Sequence, residues 1–294
     1  MTGFWAEFQR CQQTIERKLD HYFRDVLPQQ KLLDAMRYSL LAGGKRIRPV
    51  LVLKFCEAAG GDPERALPLA CAVEMMHTYS LIYDDLPCMD NDDLRRGRPT
   101  NHNVFGECTA TLAGDALQAA AFQTVLSAPL PAEAVAAAAL ELARAAGAEG
   151  MCGGQQLDME GENTAFSLEQ ITYMNGLKTG CLLRAACVMG VLAAGVTEDD
   201  PKVTAAATYA DAIGLAFQIR DDMLNQTATA EEMGKPVGND VQSHKSTYVS
   251  LLGLEGCSAV IQEKTAAAKT VLQAHFDQTA FLSCLTDYLA ERKS

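Results

Sequence analysis

Aromatic side chains are scarce in this chain. They make up 6% of its 294 residues, with a single tryptophan, although hydrophobic residues reach 48%. The apolar content is carried by Ala, Leu, Val and Met, a composition that suits helices. No segment alternates apolar and polar residues with the period of a strand, so nothing points to a sheet. Positive charge is in deficit, with 25 Lys and Arg against 37 Asp and Glu, for a net charge of −12. That balance argues against nucleic acid or an anionic membrane surface as a partner, since both call for a basic face. An anionic substrate would need a local basic site or metal ions. CxxC pairs are missing as well, so zinc is not indicated. The ten cysteines (Cys11, Cys56, Cys71, Cys88, Cys108, Cys152, Cys181, Cys187, Cys257 and Cys284) are scattered. They read as small buried hydrophobes in a reducing compartment. No charge-free apolar stretch approaches the roughly 18 residues of a membrane span, and Met1–Arg10 carries Glu7 rather than a signal-peptide core. A soluble cytoplasmic protein without membrane insertion is expected, and the length allows one domain over 1–294 with a large core.

What is present is charge in unusual places. Residues 77–102 begin as the end of an apolar helical run and then deliver five aspartates between Asp84 and Asp93 and three arginines, Arg95, Arg96 and Arg98. Two carboxylates ~4 Å apart repel by roughly 4 kcal/mol at an effective dielectric near 20. A divalent cation removes that repulsion, and oxygen-only ligands favour a hard one such as Mg²⁺. Adjacent arginines suit a polyphosphate that shares the metal. A solvated acidic loop is the bland alternative. It leaves unexplained a second aspartate pair, Asp221-Asp222, on another apolar helix pattern that runs from Pro201 to Asn225. There Asp221 and Asn225, four apart, share a face. In the first cluster, Asp84 and Asp90 would lie about 120° apart on a straight helix, and Pro87 would break or bulge the chain to gather them.

Gly43-Gly44-Lys45-Arg46-Ile47-Arg48-Pro49 follows the predicted helix 32–41. It reads either as a helix C-cap with basic residues on the dipole or as an anion cradle in which Lys45 and Arg48 face the same way. His77, seven residues before Asp84, shares its helix face. It is either a satisfied core histidine or part of the site. Gly176-Leu177-Lys178-Thr179-Gly180 interrupts an apolar helix that opens on a Ser167/Gln170 capping box. The interruption is either a tolerated kink or a break that aims Lys178 and Thr179 into a cavity. Lys235 and Lys245 are cations shortly downstream of the second aspartate pair. The remaining segments, 4–25, 50–59, 63–85, 108–126, 133–147, 246–253 and 255–292, have helical periodicity. The sum is an all-α chain.

Taken together, Asp84-Asp85-xxxx-Asp90 with Arg95-Arg96-Gly97, the Gly43–Pro49 stretch, Lys178-Thr179, Gln218-Ile-Arg-Asp221-Asp222 and Lys245-Ser-Thr-Tyr248 resemble the trans-isoprenyl diphosphate synthases, most closely the bacterial kind that makes a farnesyl product. The motifs occur in family order from residue 43 to 248. The resemblance implies a single-domain bundle of long helices around a deep central cavity, usually as a homodimer. It implies three Mg²⁺ ions held with a bound allylic diphosphate by two facing aspartate motifs. Asp84, Asp85, Asp90 and Asp221 would be metal ligands. Lys45, Arg48, His77 and Arg96 would hold isopentenyl diphosphate, and Arg95, Lys178, Thr179, Gln218 and Lys235 the allylic diphosphate, with Lys245 nearby. The implied reaction is Mg²⁺-dependent head-to-tail condensation of dimethylallyl or geranyl diphosphate with isopentenyl diphosphate. The alternatives are a geranyl or geranylgeranyl diphosphate synthase of the same family, or a non-catalytic regulatory subunit. Asn225 departs from the pattern, since bacterial relatives usually carry a third aspartate there. The position five before Asp84, Tyr79, corresponds to a chain-length floor in the family. By helix geometry Ser80 is the residue on the Asp84 face, so Tyr79 either packs between helices or reaches the cavity through its long side chain.

Overall fold

The computed structural model describes residues 2–161, 164–227 and 246–292. It is all-α, as the composition indicated. The helices are α1 (Thr2–Leu19), α2 (Gln30–Leu40), α3 (Ile47–Ala58), α4 (Pro63–Asp84), α5 (Asn101–Phe105), α6 (Glu107–Leu126), α7 (Ala132–Ala146), α8 (Met151–Glu160), α9 (Leu168–Asn175), α10 (Cys181–Ala193), α11 (Pro201–Thr227), α12 (Tyr248–His275) and α13 (Ala280–Glu291).

The centre is built from helices that are apolar nearly all round, as a helix enclosed by others must be. In α4, Asp62 caps the first turn by accepting from the Glu64 N–H, and Pro63 occupies the first helical position, where its missing donor is harmless. From Ala66 to Met76 every α4 side chain except Pro68 is buried. Helix α4 packs on α3 and α6, and α10 packs on α3, α7 and α11. Small residues set these spacings. A Cβ added to Gly190 of α10 would lie 2.5 Å from the Val52 carbonyl oxygen, so α3 and α10 approach backbone to backbone only because that position is glycine. At the other end of the chain α11 runs against α12, and α13 returns across both. Helix α12 bends at Gly253, whose φ of +66° lies in the left-handed region.

Several sequence expectations need correction. The first helix stops at Leu19 rather than near 25, because the chain turns through 20–23 with Phe23 at φ +60°. The closing segments, expected as 246–253 and 255–292, divide instead at 276–279, into α12 and α13. A minimal antiparallel ladder, β1 (Leu94–Arg95) with β2 (Arg98–Pro99), was not visible in any alternation pattern, because two residues are too few to show a period. The interruption at Gly176–Gly180 is no break. It is one π-helical turn inside an otherwise continuous helix from α9 into α10. The Ser167/Gln170 capping box forms as expected. The apolar run Leu168–Ala193 is long enough to cross a membrane, yet 67% of its most hydrophobic window is buried in the protein. The cysteines are only partly the core residues expected. Cys56, Cys71, Cys187 and Cys257 are buried, whereas Cys88, Cys108, Cys152 and Cys284 are exposed.

Candidate active site

Helix α4 ends at Asp84. The chain then turns through Leu86 and Pro87, and the Asp90 N–H donates to the Asp84 carbonyl at 2.9 Å. The first aspartate cluster is thus a helix end folded back on itself, not a bulged helix. The ladder follows at once. Arg96 and Gly97, at φ +53° and +72°, form its two-residue turn, with Arg95 paired against Arg98. Two positive φ values are what a tight hairpin of right-handed twist requires. The turn separates its neighbours' targets. The Arg95 guanidinium grips Asp85, at 2.5 Å from Nη2 and 2.6 Å from Nε. Arg96 reaches the other way and donates from Nη1 to the Gly43 carbonyl. It lies flat on Gly44, where an added Cβ would meet the Arg96 Cζ at 2.8 Å. The second glycine of the Gly-Gly pair therefore clears room for an arginine side chain.

The Gly43–Pro49 stretch resolves into two functions. Arg46, at φ +53°, turns inward. Its guanidinium donates to Glu16 at 2.7 Å, to the buried Glu74 at 2.5 Å and to the Leu40 carbonyl at 2.7 Å. It is a strut rather than a ligand, and its two carboxylates keep it firmly protonated against burial. Lys45 and Arg48 are left to face the site. Arg48 is partly buried, and burial pushes its pKa down to about 10, with the Arg96 charge adding to the effect. One guanidinium nitrogen, Nη1, lies 3.3 Å from His77 Nε2. Arginine only donates, so Nε2 accepts and the His77 proton sits on Nδ1. Burial, with the Arg48 charge, holds His77 well below its ordinary pKa and therefore neutral. The buried Nε of Arg48 has no hydrogen-bond partner. A partly buried guanidinium in the field of a second one, with a buried donor unmet, is an arrangement that an anion completes.

The acidic side shows the opposite imbalance. Burial pushes Asp84 up to about 6; Asp90 and Asp85 add to the rise, while Lys178 and Arg95 oppose it. Lys178, aimed by the π turn, donates from Nζ to Asp158 Oδ2 at 2.6 Å. Close approach of α8 to that turn depends on Gly154, where a Cβ would strike the Lys178 backbone. Next to it, the Thr179 hydroxyl donates to Gln218 Oε1 at 3.5 Å, Gln218 Nε2 donates to Asp222 Oδ1 at 3.2 Å, and Asp222 Oδ2 accepts from the Tyr248 N–H at 2.9 Å. Asp222 is thus engaged in tying α11 to α12. Asp221 pairs with Arg292 from the end of the chain. Lys45 lies within the field of both, since burial lowers its pKa, Arg292 lowers it further and Asp221 opposes.

The fold brings together Lys45, Arg48, His77, Arg96, Asp84, Asp85, Arg95 and Lys178 through these contacts and fields. Thr179 and Gln218 join at the α10–α11 side. Asp221 meets Lys45 and Arg292. Lys235 and Lys245 lie outside the described residues. Among the described residues no group of three His, Cys, Asp or Glu side chains converges as a ready metal centre; Asp85 is turned onto Arg95 and Asp221 onto Arg292. Tyr79 is 6% exposed, with its hydroxyl 3.3 Å from Cys152 Sγ, and the Ser80 hydroxyl donates to the His77 carbonyl at 2.9 Å. Sequence reasoning missed Asp158 and Arg292. Asp158 could have been found from the Gly-Gly-Gln155-Gln-Leu-Asp158 spacing, which puts Gln155 and Asp158 on one face. Arg292 carries no local signal.

Residues 29–285 match the polyprenyl synthetase family, and the chain belongs to it. It is 43% identical to the farnesyl diphosphate synthase of Bacillus subtilis (strain 168), with 99% of this chain and 98% of that protein covered. It is 48% identical to the chloroplastic geranylgeranyl pyrophosphate synthase 9 of Arabidopsis thaliana over 88% of this chain and 73% of that protein. Among solved structures, an FPP/GFPP synthase from Zymomonas mobilis superposes with a TM-score of 0.87 at 35% identity, covering 98% and 99% of the two chains. The chain is a prenyltransferase of isoprenoid biosynthesis.

Proposed function

We propose that this protein condenses dimethylallyl or geranyl diphosphate with isopentenyl diphosphate and stops mainly at the C15 farnesyl product. The observation that carries the two-diphosphate reading is the pair of opposed imbalances in one site. Arg48, partly buried in the field of Arg96 and with a buried donor unmet, calls for an anion. On the acidic side, burial, with Asp90 and Asp85 adding to it, raises Asp84 to about 6, and carboxylates so placed call for a cation. That donor set, oxygen only and mutually repelling, fits Mg²⁺ at Asp84, Asp85, Asp90 and Asp221. When bound, the ions would supply charge neutralisation on the departing diphosphate. In this reading Lys45, Arg48, His77 and Arg96 orient isopentenyl diphosphate, with neutral His77 donating from Nδ1. Arg95, Lys178, Thr179 and Gln218 hold the allylic diphosphate, and Lys178 and Arg95 stabilise charge as the allylic C–O bond breaks. The double bond of isopentenyl diphosphate attacks the allylic cation. A proton then leaves the adjacent carbon. With His77 held by Arg48 and the carboxylates committed to cations, the released diphosphate is its acceptor. Apolar walls exclude water from the cation.

A C20 product is the second reading, favoured by the 48% identity to a geranylgeranyl pyrophosphate synthase. The Tyr79 phenol, buried five residues before Asp84, weighs for C15. The protein is read as one domain, cytoplasmic and homodimeric; on α6, Leu112 and Leu126 lie exposed on one helix face that a second copy would cover. The test is incubation with dimethylallyl and isopentenyl diphosphates plus Mg²⁺, then chromatography of the dephosphorylated products. A dominant C15 alcohol is expected. A dominant C20 alcohol overturns the length assignment, and no elongation overturns the reaction.

A further inference from the structure

Tyr79 does not simply fill space. Its ring meets Tyr83 edge-on at 5.5 Å between centroids and 74° between planes. Tyr83 is itself fixed, seated on Gly114 and donating its hydroxyl to Asp115. A ring held on one side by such a neighbour can still swing about its Cα–Cβ bond unless its far end is tied. The far end is tied by the thiol of α8: the Tyr79 hydroxyl lies 3.3 Å from Cys152 Sγ. Burial, with the Cys152 contact, pushes the phenol well above its ordinary pKa, so it stays a neutral hydrogen-bonding group. The phenol thus links α4 to α8. Cys152 itself is exposed whereas Tyr79 is buried. The hydroxyl–thiol contact therefore joins a buried ring to a residue that reaches solvent.

We propose that Cys152 is a positioning residue for the product-length stop, holding the Tyr79 phenol across the foot of the site through the hydroxyl–thiol hydrogen bond. The inference rests on Tyr79 being the stop. Without the thiol, the hydroxyl loses that contact, and the ring gains a rotamer that opens the space it covers. The growing chain then samples a deeper space before release, and C20 rises against C15. Serine restores a hydroxyl partner at the same position. Valine keeps the bulk of cysteine without a polar atom, so it separates hydrogen bonding from volume.

The test is the C20 to C15 product ratio at saturating isopentenyl diphosphate, measured for Cys152→Ala, Cys152→Val and Cys152→Ser, alone and in the Tyr79→Phe background, with Tyr79→Ala as reference. Cys152→Ala and Cys152→Val are each expected to raise the ratio about threefold, the scale on which one neutral hydrogen bond shifts an equilibrium. Cys152→Ser should hold the parent ratio. In the Tyr79→Phe background, where the hydroxyl is gone, Cys152→Ala should add nothing. An unchanged ratio in both Cys152→Ala and Cys152→Val, with Tyr79→Ala shifting the product, overturns the role of Cys152 and leaves the reading of Tyr79 intact. An equal effect of Cys152→Ala with and without the Tyr79 hydroxyl overturns it too, since the thiol would then act by its own volume. If Tyr79→Ala leaves the products unchanged, the stop lies elsewhere and both ideas fall. Exposure of Cys152 keeps the fold out of question, and the thermal midpoint of each variant checks this.

Discussion

The two aspartate motifs are held in opposite ways. Asp84, Asp85 and Asp90 sit where a helix stops, and the backbone that shapes them is local: the end of α4, the turn at Pro87, and the Arg96-Gly97 hairpin that lays Arg95 on Asp85. Asp221 and Asp222 sit within a helix that continues past them to Thr227. Their partners come from far along the chain. The N-terminus of α12, 26 residues on, donates to Asp222, and Arg292 pairs with Asp221. The first motif is pre-shaped by local backbone chemistry, so its carboxylates crowd whether or not a cation is there. The second is committed to tertiary partners, which a bound metal would have to compete with or rearrange.

The largest effect should come from breaking the first motif. Asp84→Asn is expected to lower turnover a hundredfold or more, in the range that loss of one transition-state charge contact carries. Steady-state assay with unchanged helical circular dichroism checks it, and near-normal turnover would sink the metal assignment. The same variant has a second signature. Burial raises the folded pKa of Asp84 from 3.8 to about 6, so the folded metal-free protein binds this proton more tightly than the unfolded chain. The associated stability is present below pH 3.8 and lost as pH rises through about 6. Asparagine removes that loss. Metal-free Asp84→Asn should therefore be more stable than the parent above pH 6, by about 1–2 kcal/mol after allowance for partial exposure. The gain should fade towards pH 4 in denaturant titrations.

Next in size is the separation of the two anion sites. Arg48→Ala should raise the KM for isopentenyl diphosphate by roughly 10- to 100-fold, the range for a charged hydrogen bond. Lys178→Ala should act mainly on the allylic substrate or on kcat. Equal effects of both variants on both substrates would show one shared site rather than two. Smaller again is Gly44→Ala, which leaves every charged residue in place. Its Cβ displaces the Arg96 guanidinium, and its φ of +127° suits no side chain, so a several-fold rise in the same KM with some loss of stability is expected. An unaltered KM would mean that Arg96 does not need its seat on Gly44. The smallest effect concerns the second motif. If the amide of Asn225 supports a cation weakly, Asn225→Asp should lower the Mg²⁺ concentration for half-maximal rate a few-fold. A requirement that stays level or rises would put residue 225 outside the coordination sphere.

Much of this site was legible in the sequence because its pieces are short and chemically extreme. Five aspartates after an apolar run, three cations behind two glycines and a capping box before an apolar helix each have one inexpensive local explanation, and order along the chain ties them together. The missing strand period spoke against an extended sheet, and the acidic balance against nucleic acid or an anionic membrane as a partner. What the sequence left open was direction. Nothing in Lys45-Arg46-Ile47-Arg48 tells which cation turns inward, and partners from other helices, Glu16 and the buried Glu74, decide that Arg46 is the strut. The kink-or-break choice at Lys178 was settled by a π turn, which depends on Gly154 letting α8 close on that backbone. Tyr79 lay off the expected face on an ideal helix, and its role turns on a hydroxyl contact 73 residues away. Spacing fixes which residues share a face of one helix. Partners across helices are chosen by packing, by the need of buried charge for an opposite charge, and by where glycine lets backbones touch, and those are properties of the folded chain alone.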